Sequence, residues 1–369
     1  MFPGRRALSQ EFNVASPTIE RAVRLLVNEG LLRTEDRRGT FVSYPFETAE
    51  SEGDTSKPGS TRVNKQNACL GIIASYEQSW VGPSSLEHFV SSIVSTIELD
   101  FREHGARVTL HNLRRAEGAP FVSVLAAARA LFDKGAAMLC VVDPHYLVLD
   151  SEIEEFVASG IASRATTVFV SVRELHAPIP HVMWDTGYAG FQAAHHLIDR
   201  GCRTLLFASP FGAPWVAERI AAARLAVAHA DLPEDSLQVV VANPSAPVTP
   251  DVIMDSVLRF GRELVAAGKL SGGIIAANDF VAYGILDAAR EAGIRPGLDF
   301  SIIGVDDGPL SLSYDLTTIR PPIEEMAKET IQLLNRCTQH IQTNPQVRLR
   351  GRILERSINA IDVSPAGMR

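Results

Sequence analysis

Three polar residues in the C-terminal half of the sequence each follow an apolar, strand-like run: Arg219, Asn278 and Asp306. They offer a guanidinium fork, an amide and a carboxylate, so the group both donates and accepts hydrogen bonds. That combination suits a small ligand rich in hydroxyl groups, such as a sugar, held away from water. Asp279 and Asp307 directly follow two of the three and are predicted to cap helices or make structural bonds. We therefore predict that Arg219, Asn278 and Asp306 form the polar core of a ligand site.

Five further residues are candidates for the same site. Ser75 and Tyr76 follow the first strand-like run beyond residue 68, and Asp143 follows the third. Phe89 begins the first helical region there, and Trp215 lies in the predicted loop before the arginine. An aromatic ring can serve as an apolar platform for the face of a sugar ring, and it is equally typical of a packed core.

The elements that must position these residues alternate regularly from residue 68 onward. Strands are predicted at 70–75, 106–112, 136–142, 167–172, 204–208, 237–242, 273–277 and 300–304. Helices are predicted at 86–104, 121–134, 151–159, 187–200, 217–230, 252–267, 280–292 and 323–340. Such alternation is typical of an α/β fold with parallel sheets.

The apolar character of the strands predicts how the sheets are arranged. Strands this apolar must be covered on both faces, which indicates parallel sheets flanked by helices. Such strands, spread over roughly 300 residues, fit two doubly wound subdomains better than one sheet. A TIM barrel, which closes eight strands, is the rival fold. In such sheets, ligands bind outside the carboxyl ends of the strands, here in a cleft between the two subdomains.

The first 45 residues have a different pattern. Two short helices are predicted at 7–12 and 16–29, with Ser16 as the N-cap of the second and Pro17 in its first turn. Gly30 ends the second helix, and a hairpin that turns at 37–39 follows. This is the pattern of a helix-turn-helix followed by a β-wing. Residues 1–45 hold seven Arg and five acidic residues, a net charge of +2. Because the whole chain has a net charge of −8, the remaining residues have a net charge of −10.

The segment ALSQEFNVASPTIERAVRLLVNEGLLRTEDRRGTFV resembles the winged helix of GntR-type regulators. The resemblance implies that Arg6 contacts the phosphate backbone of DNA and that Ser16 and Thr18 face the major groove. It also places Arg38 and Gly39 at the tip of the wing, near the minor groove. Hydroxyl groups, helix N-termini and arginine are groups that contact phosphates and base edges in such modules.

Two features depart from the GntR-type pattern. The family's first helix, which normally precedes the position of Arg6, is absent, and we expect that the start was assigned too late. Glu20 and Pro17 stand where the family often has Arg and Thr. An alternative reading is a helix-turn-helix that packs against a protein partner.

From residue 68 to about 360 the chain resembles the effector-binding domain of LacI/GalR-type regulators, which is periplasmic-binding-protein-like. WDTGYAGFQAAHHLIDRGCRTLLFAS and IIAANDFVAYGILDAAREAGIRPGLDFSIIGVDDGPLS are the segments that carry the resemblance. It implies that Arg219, Asn278 and Asp306 bind the effector, and that ligand-dependent closure of the cleft controls the spacing of two DNA-reading heads in a homodimer.

The predicted organisation is therefore a winged helix-turn-helix at 1–45, a polar linker at 46–67 and a ligand-sensing domain of two subdomains at 68–369. We expect a cytoplasmic transcriptional regulator, most simply a repressor, that binds operator DNA and a sugar or related metabolite. No enzyme motif, metal site, cofactor, signal peptide or membrane span is predicted, and the four cysteines are expected to be buried, reduced thiols. A sensor that has lost DNA binding, an enzyme and an exported binding protein are the alternatives.

Overall fold

The computed structural model of the chain describes residues 19, 23, 32–35, 39–42, 68–74, 85–113, 122–143, 148–161, 165–242, 250–336 and 344–357. The chain divides into two compact units, residues 1–61 and 62–369. The boundaries 1–45, 46–67 and 68–369 stay a prediction.

In the first unit, strands β1 (Leu32–Glu35) and β2 (Gly39–Val42) form an antiparallel hairpin. Ile19 and Val23 are helical and buried. Residues four apart lie on one face of a helix, so these two side chains lie on a single buried face within the range predicted for the second helix. Gly39 is the first residue of β2. Of the other predicted DNA contacts, Arg6, Ser16, Thr18 and Arg38 lie outside the described residues.

The second unit contains two six-stranded sheets, each forming one subdomain. The N-terminal subdomain has the strand order β13-β7-β6-β5-β3-β4, and all its paired strands are parallel. Its strands are β3 (Cys69–Ala74), β4 (Arg107–Asn112), β5 (Met138–Asp143), β6 (Thr166–Ser171), β7 (His181–Trp184) and β13 (Gln346–Leu349). Its helices are α1 (Ser85–Glu103), α2 (Val124–Asp133), α3 (Asp150–Ala158) and α8 (Ile323–Arg336). β3 and β5 are buried throughout because they lie inside the sheet, whereas the edge strand β4 is partly exposed.

The C-terminal subdomain has the strand order β14-β12-β11-β10-β8-β9. Its strands are β8 (Leu205–Ser209), β9 (Leu237–Val241), β10 (Gly272–Ala276), β11 (Phe300–Val305), β12 (Thr318–Arg320) and β14 (Arg352–Leu354). Its helices are α4 (Thr186–Asp199), α5 (Pro214–His229), α6 (Pro250–Ala266) and α7 (Asp279–Glu291), which pack as the pairs α4–α5 and α6–α7. All paired strands are parallel except the edge strand β14, which runs antiparallel to β12. Within the described ranges, every helix is too short or too polar to span a lipid bilayer.

This architecture confirms the predicted α/β fold with two doubly wound subdomains, and the two separate sheets exclude a single barrel. The chain crosses between the subdomains three times: after β7, after β12, and between β13 and β14. The first and third crossovers are joined, because the Asp185 amide donates to the Leu349 carbonyl (2.8 Å). The side-chain amide of Gln192, on α4, donates to the Gly351 carbonyl in the third crossover (3.0 Å). Gly351 also leaves no room for a side chain, since a Cβ atom there would lie 2.7 Å from the Arg320 carbonyl oxygen.

Three cysteines are free thiols in the described part of the chain. Cys69 and Cys140 are buried, whereas Cys202 is only half-buried, so the prediction of full burial was wrong for it. Burial raises the pKa of the Cys140 thiol to about 12, which keeps it protonated and unreactive. Cys337 lies outside the described residues.

A buried histidine joins the neighbouring strands β6 and β7. The Ser171 hydroxyl donates to the Arg173 carbonyl (2.6 Å) and lies 2.8 Å from His181 Nε2, so Nε2 is the donor of the second bond. The Nδ1 atom of His181 is buried and has no hydrogen-bond partner among the described residues. Burial, assisted by the positive charge of Arg173, lowers the pKa of His181 to about 4.

This histidine predicts an acid sensitivity of folding. In the unfolded chain His181 binds a proton near pH 6.5, the ordinary value, and in the folded chain only near pH 4, so its contribution to stability is lost as the pH falls through this window. The pKa difference corresponds to about 3 kcal/mol at most. We expect wild-type protein to lose more stability than His181→Gln when urea unfolding is compared at pH 7 and pH 4.5.

The matched control is His104→Gln, which changes an exposed histidine just beyond α1. It should lose the same stability as wild type between the two pH values. An equal loss in wild type and His181→Gln would show that the buried imidazole does not govern the acid response.

Candidate functional site

The centre of the candidate site is the guanidinium group of Arg219, which is only 3% exposed. Its Nε and Nη2 atoms both donate to the Thr186 hydroxyl oxygen, at 3.1 and 2.6 Å, and Nη1 donates to the Ala277 carbonyl at 2.5 Å. Nη2 also lies 3.7 Å from Oδ1 of Asp306. The structure thus brings Arg219 and Asp306 together at the carboxyl ends of β10 and β11, next to Asn278.

Two indole rings enclose the guanidinium. The Cζ atom of Arg219 lies 4.6 Å from the ring centroid of Trp215 and 5.5 Å from that of Trp184. A cation over an indole face gains roughly 0.5 to 2 kcal/mol, more where water is excluded. The Nε1 atom of Trp184 is buried without a hydrogen-bond partner among the described residues, so it can donate to a ligand hydroxyl. The N-terminal subdomain adds Phe89, whose ring centroid is 6.0 Å from that of Trp184.

The position of Trp215 corrects a prediction. We expected a loop up to residue 217, but α5 begins at Pro214 and Trp215 lies in its first turn. Pro214 suits the first helical position because its ring fixes φ and it has no amide hydrogen to leave unsatisfied. Trp215 therefore precedes Arg219 by one helical turn, which places the indole and the guanidinium on the same face of α5.

Asn278 caps the helix that follows β10. Its Oδ1 atom accepts a hydrogen bond from the Val281 amide at 3.1 Å, as an N-cap side chain does. The side chain is nearly buried, with 8% of the residue exposed. Because the cap uses the oxygen, the amide nitrogen is the part of Asn278 that can donate to a ligand.

Asp306 lies in a backbone turn that the neighbouring Asp279 organises. The φ angles of Asp306 and Asp307 are 112° and 48°, in the left-handed region that side chains disfavour. The buried Asp279 carboxyl holds the loop after them, because it accepts hydrogen bonds from the Gly308 amide (2.7 Å), the Ser311 hydroxyl (2.5 Å) and the Thr318 hydroxyl (2.6 Å). This confirms that Asp279 makes structural bonds.

Asp307 is also structural. Its carboxylate pairs with Arg320 at 2.6 Å and with Arg356 at 2.8 Å. Both partners lie on or next to the strands β12 and β14, so these ion pairs attach the turn to the edge of the sheet. The prediction that Asp307 makes structural bonds is confirmed.

The charges in this turn affect one another. Burial, and then the negative charge of Asp306, raise the pKa of Asp279 to about 7, although its three hydrogen-bond donors lower it. The negative charge of Asp306 therefore acts on two neighbours: it lies 3.7 Å from the Arg219 cation, and it favours the protonated form of Asp279.

The remaining candidates are less central. Asp143, at the end of β5, is buried and its Oδ2 atom accepts a hydrogen bond from the Val148 amide at 3.2 Å. Ser75 and Tyr76 lie outside the described residues. No group of three or more His, Cys, Asp or Glu side chains that could bind a metal ion occurs in the part of the chain that the structure describes.

Sequence reasoning missed Thr186, the residue that accepts two hydrogen bonds from Arg219. Thr186 is the first residue of α4. It follows Asp185, the N-cap of this helix, which in turn follows Trp184, the last residue of β7. The sequence offered no strong signal for it, because β7, the short strand that precedes Thr186, is not among the predicted strands.

Two family models match the chain: bacterial regulatory proteins of the gntR family over residues 1–42, and a periplasmic binding protein-like domain over residues 194–357. The arabinose metabolism transcriptional repressor of Halalkalibacterium halodurans is 23% identical over 354 residues, which cover 90% of this chain and 82% of that protein.

Solved structures share the fold. The lac repressor dimer bound to operator and the anti-inducer ONPF matches with a TM-score of 0.60 and 19% identity, covering 79% of this chain and 94% of that one. A LacI family transcriptional regulator from Enterococcus faecium with bound ribose matches with a TM-score of 0.58 and 21% identity, covering 78% and 97%.

Proposed function

Because this chain joins a gntR-family N-terminal region to a periplasmic-binding-protein-like domain, we propose that it is a DNA-binding transcriptional regulator controlled by a small ligand. The observation that carries the proposal is the guanidinium of Arg219, which lies over two indole rings and 3.7 Å from the carboxylate of Asp306, at the carboxyl ends of parallel strands. This edge is where ligands bind in open α/β sheets.

The proposed ligand is a sugar, and an aldopentose is the first class to test. A guanidinium, a carboxylate and an amide can bind hydroxyl groups that both donate and accept, while the indole of Trp215 offers an apolar face. The similar protein from Halalkalibacterium halodurans is a repressor of arabinose metabolism, and the similar structure from Enterococcus faecium contains ribose. Both sugars are pentoses.

The proposed DNA reader is the winged helix-turn-helix at 1–45, with contacts from Arg6, Ser16, Thr18, Arg38 and Gly39. A linker at 46–67 would join it to the sensing domain at 68–369, and the place of action is the cytoplasm. A homodimer follows from the size of the reader, because one small module makes few base contacts and a two-fold site doubles them. Sedimentation equilibrium of the full chain tests the dimer.

The test uses DNA from the region upstream of the protein's own coding sequence. We expect the full chain to bind this DNA in fluorescence anisotropy, with a Kd that L-arabinose or D-ribose changes at least about tenfold, the usual size of an allosteric coupling. Absence of DNA binding together with sugar binding in calorimetry would favour the alternative, a sensor without DNA binding. Absence of both would overturn the proposal.

The arginines of the reader give a separate prediction. Arg6→Ala and Arg38→Ala should weaken binding to all DNA sequences alike, because a phosphate contact carries no sequence information. Each should also reduce the slope of log K against log salt by about one. Arg102→Ala, which changes an exposed arginine on α1, is the control and should leave both quantities unchanged. An unchanged salt slope in the two reader variants would show that these arginines do not contact the phosphates.

A further inference from the structure

We propose that Thr186 and Gly190, four residues apart on α4, form a clamp that positions the guanidinium of Arg219. The inference rests on the proposed ligand site, since it concerns how that site is held in shape. Both residues are on the face of α4 that packs against α5, which carries Arg219. They are positioning residues.

Thr186 fixes the orientation of the guanidinium plane. Its single hydroxyl oxygen accepts from both Nε (3.1 Å) and Nη2 (2.6 Å) of Arg219, and two bonds to one edge of a planar group prevent its rotation. Thr186 is itself 2% exposed, and a β-branched side chain in a helix has few rotamers. The acceptor is therefore rigid, and the opposite edge of the guanidinium faces Ala277.

Gly190 fixes the distance between the backbone of α4 and the backbone of α5 at Arg219. A Cβ atom at Gly190 would lie 2.0 Å from the carbonyl oxygen of Arg219 and 2.7 Å from its Cα atom, closer than a Cβ atom approaches non-bonded atoms. The two helices thus touch backbone to backbone at Arg219 itself. Gly187, one turn earlier, differs: a Cβ atom there would be 3.5 Å from the Glu218 Cβ atom, an ordinary contact.

The clamp connects Arg219 to the first crossover between the subdomains. Thr186 follows Asp185, the N-cap of α4, whose amide donates to Leu349 in the third crossover. The guanidinium is thereby held in the bound geometry before a ligand arrives, which reduces the ordering cost of binding. Displacement of α4 relative to α5 would move the guanidinium away from Asp306 and from the two indoles.

Indole emission measures this displacement without any ligand. In a Trp80→Phe background the remaining tryptophans are Trp184 and Trp215, the two that enclose the Arg219 cation. Gly190→Ala should change the emission maximum or intensity, because the energy of an indole excited state depends on a charge beside the ring. Gly187→Ala, the matched control, should leave the emission of the parent unchanged. Equal emission in the Gly190→Ala and Gly187→Ala proteins would overturn the clamp.

A second pair of variants, both at Thr186, tests the clamp even if Gly190→Ala fails to fold. Thr186→Val has the same shape without the hydroxyl, and Thr186→Ser keeps the hydroxyl. We expect Thr186→Val to weaken L-arabinose or D-ribose binding about ten- to hundredfold and to change the indole emission, and Thr186→Ser to restore both. Wild-type affinity and emission in Thr186→Val would refute the clamp. If wild type does not bind pentose, that result counts against the proposed function alone. The clamp is still tested, because the indole emission of the variants is measured without a ligand.

Discussion

Arg219→Ala is expected to weaken pentose binding by about 2 to 5 kcal/mol, the usual cost of removing one partner from a buried charge pair. The change deletes the buried cation that lies 3.7 Å from Asp306, whose side chain is only 10% exposed. Isothermal calorimetry should show a loss of about thirtyfold or more in affinity. DNA affinity in the absence of sugar should be unchanged, because the residue is not part of the DNA reader.

Two further variants make this result specific. Arg224→Ala removes an arginine of the same helix that is exposed and lies 3.6 Å from Glu234, and it should bind pentose as wild type does. Arg219→Lys keeps the charge but loses the planar fork, so it should recover only part of the affinity. Pentose binding by Arg219→Ala within threefold of wild type would remove Arg219 from the site.

The second large effect is expected from Asp279→Ala, which should lower the free energy of unfolding by about 3 kcal/mol or more. The substitution leaves the Gly308 amide and the hydroxyls of Ser311 and Thr318 without their common acceptor, and each unsatisfied buried group costs about 1 to 3 kcal/mol. Urea unfolding at pH 6 is the suitable measurement. The pKa of this carboxyl is raised to about 7 in the fold, so folding takes up a proton and the penalty for that uptake grows with pH up to about 7. The loss of stability caused by the substitution should therefore be larger at pH 6 than at pH 8.

The control is Asp287→Ala on the same helix. Asp287 accepts hydrogen bonds from Arg290 and Tyr314 and its side chain is 33% exposed, so its loss should cost about 1 kcal/mol or less. Asp279→Ala should also weaken pentose binding, because the loop that carries Asp306 loses its anchor. Equal stability of Asp279→Ala and Asp287→Ala would show that the three bonds do not hold the loop.

The larger helices and strands were predicted well from the sequence, because each is specified by the pattern of apolar residues within its own segment. Runs such as those that became β3, β5 and β10 are apolar throughout, and a helix of suitable period follows each. Four strands were missed: β7, β12, β13 and β14, of three or four residues each. β13 reads Gln-Val-Arg-Leu and is partly exposed. It is a strand because it pairs with β7, far away in the chain, and no local pattern contains that information.

The candidate site could be predicted in part for the same reason. The carboxyl ends of parallel strands meet at one edge, so the positions of Asn278 and Asp306 follow once their strands are recognised. Arg219 was assigned to the site because it follows the strand-like run at 204–208. Its partner Thr186 belongs to a helix that only tertiary packing brings beside α5. The role of Gly190 depends on a contact between two helix backbones, and a single glycine in a helix does not reveal it.

The three crossovers restrict how the two subdomains can move. One covalent connection would allow rotation in any direction, but three connections, of which the first and third are joined through the Asp185 amide, remove most of these degrees of freedom. What remains is pivoting about one axis that runs through the three segments. A ligand that closes the cleft would then change a single quantity, the angle between the two sheets.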